Sequence, residues 1–152
     1  MDPTGTGPRG LRAELLRRLP GWSDLVQRTG PARLALQPIY DMPAPCYVGP
    51  RTLLIGDAAT VARPHTGAGA VKALQDALAL ERIAAAGGSW EQILAAYDAE
   101  RRPVGNRTVE LGQRLGQAQV LRTPDWSLMT PDLFRRWIAD TLEGRSSWVY
   151  SA

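Results

Sequence analysis

One cysteine, Cys46, is the whole thiol content of this 152-residue sequence, which excludes an intrachain disulfide and a cysteine metal cluster and gives no sign of an oxidising compartment. Histidine is equally sparse, with His65 alone, and no metal site is read from the sequence. Lysine occurs only at Lys72 against seventeen arginines, a bias of genome composition rather than of a nucleic-acid surface. Those arginines are scattered from Arg9 to Arg145 instead of being clustered and interleaved with aromatics, so no nucleic acid is expected as a partner. No stretch approaches the roughly 20 apolar residues of a membrane span, and the opening MDPTGTGPRG lacks the apolar core of a signal peptide. The expected location is the cytoplasm, with no membrane partner. What is present, 44% apolar and 22% charged residues with a net charge of +3, is the composition of one globular domain. A domain of this length buries roughly 70% of the surface its unfolded chain exposes and needs no covalent staple.

Three glycines and two prolines in the first ten residues predict an irregular lead. Leu11, Leu15, Leu16 and Leu19 recur at helical spacing up to the Pro20-Gly21 stop, and Trp22, Leu25 and Val26 extend that packing face. Arg33 to Tyr40 alternates loosely and predicts a strand that Pro38 pushes to an edge; Thr52 to Ile55 predicts a short buried strand stopped by Gly56-Asp57. Ala70 to Ala86 is rich in helix formers and is stopped by Gly87-Gly88. Ser89 and Gln92 form a capping-box pattern opening a helix from Trp90, which Pro103 kinks or divides before it resumes through Val109, Leu111, Leu115 and Val120. Thr130-Pro131 opens a last helix with Leu133, Phe134, Trp137 and Ile138 on its apolar side. There is no internal repeat.

One constellation stands out: Leu53-Leu54-Ile55-Gly56-Asp57-Ala58-Ala59, then Arg63-Pro64-His65-Thr66-Gly67-Ala68-Gly69-Ala70, then a helix containing Asp76. It reads as strand, acid at the strand's carboxyl end, glycine loop and helix start. A carboxylate there can accept hydrogen bonds from a sugar-alcohol hydroxyl. Gly67 and Gly69 let the backbone approach a flat ligand, and the helix that follows favours negative charge at its amino end. These parts suit a flavin, whose reduced form carries negative charge at its pyrimidine end, better than an adenine or a metal.

The run GDAATVARPHTGAGAVKALQDALAL at 56–80 resembles the second flavin-binding motif of the FAD-dependent aromatic hydroxylases, the p-hydroxybenzoate hydroxylase class. RPHTGAG and the preceding QPIYD at 37–41 are most similar to the branch containing 2,6-dihydroxypyridine hydroxylase, and AAYDAERRPVGNRTVELGQRLG at 95–116 extends the likeness loosely. The resemblance implies an α/β fold, α+β in this segment, with short strands followed by long helices. That is the carboxyl-terminal part of a FAD/NAD(P)-binding Rossmann-like fold, divided into a flexible lead at 1–10, a FAD-domain segment at 11–120 and a helical tail at 121–152.

It further implies FAD as cofactor, with Gly56, Asp57, Pro64, Gly67, Ala68, Gly69 and Ala70 as the residues holding it. Asp57 would bind the ribityl chain, Pro64 would lie beside the reactive edge of the isoalloxazine, and the backbone of 67–70 would hold the pyrimidine oxygens. His65 is the candidate catalytic base, although a lone loop histidine more often only makes a hydrogen bond. The implied reaction hydroxylates a small aromatic or heteroaromatic ring, with NAD(P)H and O2 as co-substrates. Thr60 stands where the family commonly carries histidine. The family's ADP-binding βαβ unit and its middle motif have no counterpart. The string Gly5-Thr6-Gly7-Pro8-Arg9-Gly10 matches GxGxxG, yet no strand feeds it and Pro8 lacks an amide for phosphate.

The expected partner is therefore an amino-terminal half carrying GxGxxG, or a second copy docked through exposed apolar surface; an apolar patch of more than several hundred Å² is expected around 52–55. A non-catalytic remnant or interaction module, and an unrelated α/β binding domain, are the alternative readings. Asp76 reads as structural, bonded to the loop backbone or to arginine, and Arg101 with Arg102 as a solvated helix face.

Overall fold

A computed structural model of the protein describes residues 7–143 apart from Leu36, and these fall into two compact units divided between Ile39 and Tyr40. In the first unit, helix α1 (Gly7–Arg18) begins four residues ahead of the leucine pattern that predicts it. Gly7 to Gly10 of the GxGxxG-like string therefore form its opening turn, and Gly5 and Thr6 lie outside the described residues. A 3-10 turn at Pro20–Trp22 leads into α2 (Ser23–Arg28). The Arg12 guanidinium donates to the Gln27 carbonyl at 2.5 Å, tying the two helices. Val26 is buried, whereas Trp22 and Leu25 are exposed. Arg17 and Arg18 grip Glu14 and hold its carboxyl down at about 2.

The strand predicted over Arg33 to Tyr40 is not formed among the described residues. Pro31–Arg33 is a 3-10 turn, the residues after it have no regular structure, and Leu36 lies outside the described residues. Pro38 contributes no amide, and no strand lies alongside to pair with the rest.

The second unit is helical, which corrects the expectation of short strands. Its long elements are α3 (Gly69–Ala85), α4 (Trp90–Gly116), which continues as a π-helical segment over Gln117–Leu121, and α5 (Pro131–Leu142). Thr52 to Ile55 is extended but pairs only back on its own loop. The Gly49 amide donates to Thr52 at 2.9 Å and the Leu54 amide to Tyr47 at 2.8 Å. The bridges are isolated ones, Val48 with Leu53 and Met42 with Val61. A strand exists only as part of a ladder, and residues 52–55 have no neighbouring strand here.

α3 and α4 form a hairpin whose connection places Gly87 and Gly88 at positive φ. Ser89 and Gln92 close the capping box that the sequence predicts: the Ser89 hydroxyl accepts from the Gln92 amide, and the Gln92 side chain accepts from the Ser89 amide. α4 runs unbroken through Pro103. The lost amide is outweighed by anchors on both sides of it. Asp98 accepts from the Tyr47 amide at 2.6 Å, and Asn106 exchanges two 3.0 Å bonds with the Ala44 backbone. Thr130 caps α5 by accepting from the Leu133 amide.

The core under the 42–61 loop is Ala44, Tyr47, Ala59, Ile83 and Tyr97, with Val48, Leu53, Leu80 and Ile93 around it. Tyr47 and Tyr97 are fully buried, their hydroxyls meeting the Thr60 hydroxyl at 2.8 Å and the Leu54 carbonyl at 3.0 Å. Burial pushes both phenols above their ordinary value, and the negative charge of Asp76 adds to the effect. A raised folded-state value means that the unfolded chain releases protons first. The stability these phenols contribute is therefore complete below pH 10.0, the value for a free tyrosine, and is lost as pH rises beyond it. We expect the melting temperature to fall above about pH 10, with phenolate absorbance from these two rings appearing only as the chain unfolds. Phenolate absorbance from both rings in a still-folded chain would contradict this.

Candidate functional site

Ile55 enters the site as extended backbone, and Gly56 then turns the chain with φ +57°, starting a 3-10 turn over Gly56–Ala58. Only glycine fits at 56. The backbone is left-handed, and a β-carbon would stand 3.1 Å from that of Ala73 on α3. Asp57 is exposed at the crest of this turn. One of its carboxylate oxygens lies 3.9 Å from where a β-carbon on Gly69 would be, so the sequence-separated acid and the start of α3 do come together.

The second half of the loop is a 3-10 turn at Pro64–Thr66 that ends on Gly67 at φ +62°. Thr66 is buried beneath it, and its hydroxyl accepts from the Ala68 amide at 3.2 Å. Pro64 is exposed, as are Gly67, Gly69 and Ala70, while Ala68 is buried. A β-carbon on Gly67 would meet nothing within 4 Å, so the space beside it is open. α3 starts at Gly69 with no side-chain cap and no acid in its first turn. Its leading amides therefore keep their donor capacity and the partial positive charge of a helix amino end.

Behind the loop, α4 supplies a seat. A β-carbon on Gly112 would stand 3.1 Å from the Arg63 amide nitrogen, and one on Gly116 would stand 2.8 Å from Arg63 Nη1 and 3.5 Å from His65 Cε1. The Arg63 Nε bonds to Asp41 at 2.7 Å. His65 is half-buried against α4, and its Nδ1 is buried without a hydrogen-bond partner among the described residues. Thr60 is fully buried on Tyr47. A groove of about 800 Å³ also runs along α4 and α5, lined by Arg63, Gln113, Arg114, Trp137 and Asp140 among others. Its Arg114 is paired with Glu143 at 2.5 Å.

Two residues bear on the site without having been singled out for it. Arg101, read from sequence as part of a solvated face, is buried, and its Nε donates to Asp76 at 2.8 Å. Lys72 is buried too and donates to the Gly56 carbonyl at 2.7 Å. The lone lysine and its i,i+4 spacing to Asp76 were the available signal. Asp76 does what the sequence reading assigned to it, accepting from the Gly56 amide at 2.9 Å as well as from arginine.

A glycine-turned carboxylate beside an uncapped helix start is a site for a ligand with hydroxyls and an anionic edge. The chain belongs to the FAD binding domain family, whose model matches residues 34–111. Its relatives include salicylate hydroxylases and an FAD-dependent monooxygenase. Two salicylate hydroxylases of Pseudomonas putida are 36% identical over 120 residues and 33% identical over 146 residues, spanning 73% and 91% of this chain. Among solved structures, P. aeruginosa PqsL in complex with 2-aminobenzoylacetate superposes with a TM-score of 0.54 at 25% identity over 88% of this chain. The chain spans 27% and 32% of the length of the two hydroxylases and 35% of PqsL. FAD is the family's cofactor, and the residues present are compatible with it: an exposed crest acid within reach of the uncapped start of α3, and open space at the β-carbon position of Gly67. No helix among the described residues is long and apolar enough to cross a membrane.

Proposed function

We propose that this chain supplies the ribityl and isoalloxazine side of the FAD site in a flavin-dependent monooxygenase that hydroxylates a small aromatic or heteroaromatic ring using NAD(P)H and O2. The observation that carries the reading is the approach of the Asp57 carboxylate to Gly69, at the uncapped start of α3, with open space over Gly67. In this reading Asp57 accepts hydrogen bonds from the ribityl hydroxyls. The backbone of Gly67, Ala68, Gly69 and Ala70 is offered to the isoalloxazine, Gly56 turns the chain so that Asp57 stands at the crest, and Pro64 lines the ring's edge. The amides of α3 favour negative charge on the pyrimidine ring, a preorganised electrostatic contribution that needs no side-chain movement. Bound FAD, once reduced, supplies the oxygen-activating chemistry. His65 is the loop's side chain able to hold or pass a proton at Nδ1.

The remainder of the FAD domain, carrying the GxGxxG unit for the ADP half, is the partner this reading requires. Leu54 and Ile55 are 43% and 42% exposed, and Leu74 and Leu78, one turn apart on α3, are 66% and 62% exposed. Such apolar side chains suit cover by that remainder.

The test is FAD titration of the purified chain, followed by flavin fluorescence, against Asp57→Ala. A charged hydrogen bond of about 1.5–3 kcal/mol corresponds to binding weakened about 10- to 100-fold in the variant. Absence of saturable binding by a chain that circular dichroism shows to be folded would count the motif as scaffold and favour a non-catalytic remnant or interaction module.

A further inference from the structure

Gly56 is the pivot of the candidate site, and glycine alone does not fix its shape. With no β-carbon it populates positive and negative φ about equally, so something else has to select φ +57°. Side chains from α3 reach both polar groups of Gly56, and its carbonyl also accepts from the Ala59 and Thr60 amides at 3.0 and 3.2 Å. Its amide donates to Asp76 Oδ2 at 2.9 Å, and its carbonyl accepts from Lys72 Nζ at 2.7 Å. Lys72 and Asp76 lie four residues apart, on one face of the helix. Arg101 of α4 grips the other oxygen of Asp76 at 2.8 Å, so the holder is itself held.

The charges in this cluster do not balance, and the imbalance indicates what Lys72 is for. Two cations share one carboxylate, all three side chains at most 5% exposed. Arg101 alone neutralises Asp76, and burying a second cation is unfavourable unless it makes a strong contact. Lys72 is 3.4 Å from Asp76 but only 2.7 Å from the Gly56 carbonyl. Its strongest contact is thus with the turn and not with its charge partner. A compact ammonium reaches a single carbonyl where the planar fork of an arginine is built for two acceptors, and this is the one position where an arginine-rich chain uses lysine.

We propose that Lys72, Asp76 and Arg101 are positioning residues that lock the Gly56–Asp57 turn and thereby aim the Asp57 carboxylate at the ribityl chain. The aim depends on the flavin reading above; the lock does not. Lys72→Met separates position from stability, because it removes the one side-chain donor to the Gly56 carbonyl, leaves that carbonyl its backbone donors Ala59 and Thr60, and leaves a neutral, hydrogen-bonded Asp76–Arg101 pair. Removing a buried charge is strongly destabilising when it orphans its partner, and here Asp76 stays paired with Arg101. Leu115→Ala is the control, since Leu115 is buried on the same helix as Arg101 but about 20 Å further along it at 1.5 Å per residue.

Two measurements on the full chain decide the matter. Amide hydrogen exchange by NMR reads the lock: in Lys72→Met, Gly56 and Ala59, whose amides are hydrogen-bonded in this turn, exchange about tenfold faster, while Ala79 and Val109 in the helix interiors stay within about twofold. FAD titration reads the aim: the dissociation constant rises about tenfold in Lys72→Met and changes less than about twofold in Leu115→Ala, although the latter lowers stability more. Exchange at Gly56 that is unchanged in Lys72→Met, or that rises no more than at Ala79, overturns the lock. Equal losses of FAD affinity in Lys72→Met and Leu115→Ala overturn the aim. If the wild-type chain takes up no FAD, the flavin reading and the aim fall together, and the exchange rates still decide the lock.

Discussion

Gly105→Ala is expected to destabilise the second unit by about 3 kcal/mol, read as a lower denaturation midpoint in urea with the slope unchanged. Helix propensity argues the other way, since alanine in the middle of α4 should gain up to about 1 kcal/mol over glycine. Packing decides the sign. A β-carbon at 105 would stand 1.7 Å from the Tyr47 hydroxyl oxygen, 3.0 Å from Tyr47 Cζ and 2.7 Å from the Thr60 hydroxyl. Tyr47 cannot retreat, because it is fully buried with its ring 6.2 Å from that of Tyr97 and its backbone fastened to Asp98 and Leu54. Moving the ring breaks the Tyr47–Thr60 hydrogen bond and opens the core beneath the 42–61 loop. A Gly105→Ala chain as stable as the wild type would mean that the loop repacks freely, and the seat of the candidate site would then be soft.

The helices were legible because their signals are local. Ser89 with Gln92, Thr130 before Pro131, and Gly87-Gly88 act through the backbone of their own turn, and each does in the structure what its spacing predicts. Residues 52–55 carry an equally clear strand signature, yet hydrogen bonding between strands depends on a neighbour, and the described chain brings only residues 47–49 alongside. The loop's glycines, its crest acid and the start of α3 could be read from order along the chain. Arg101 could not. Its neighbours Glu100 and Arg102 are surface-facing, with Glu100 bonded to an exposed Arg82, and nothing local distinguishes the one arginine whose helical phase points it into the hairpin at Asp76. Lys72 carried a signal in its four-residue spacing to Asp76, but a lysine in the first turns of a helix ordinarily points to solvent.

Asp76→Ala is expected to lower stability by about 3–5 kcal/mol, more than Gly105→Ala and a large share of the about 5–15 kcal/mol that holds a typical domain together. Three losses coincide. The Gly56 amide, buried and bonded to Oδ2, loses its acceptor. Lys72 and Arg101, 3% and 5% exposed at their side chains, become two neighbouring cations in a site from which water is largely excluded and which holds no counter-charge. Their mutual repulsion adds to the desolvation each already bears, so the variant should relieve itself by parting α3 from α4 at this level of the hairpin. Charge removal supplies the internal check. Combining Asp76→Ala with Lys72→Met and Arg101→Met replaces the ionic cluster by apolar surface, and the triple variant should recover most of the stability lost in the single one, because the loss comes from orphaned charge and not from missing contacts. Chemical denaturation of the single and triple variants tests this. A triple variant no more stable than Asp76→Ala would show that the cluster's contribution is the Gly56 hydrogen bond itself, with burial of the two cations already tolerated.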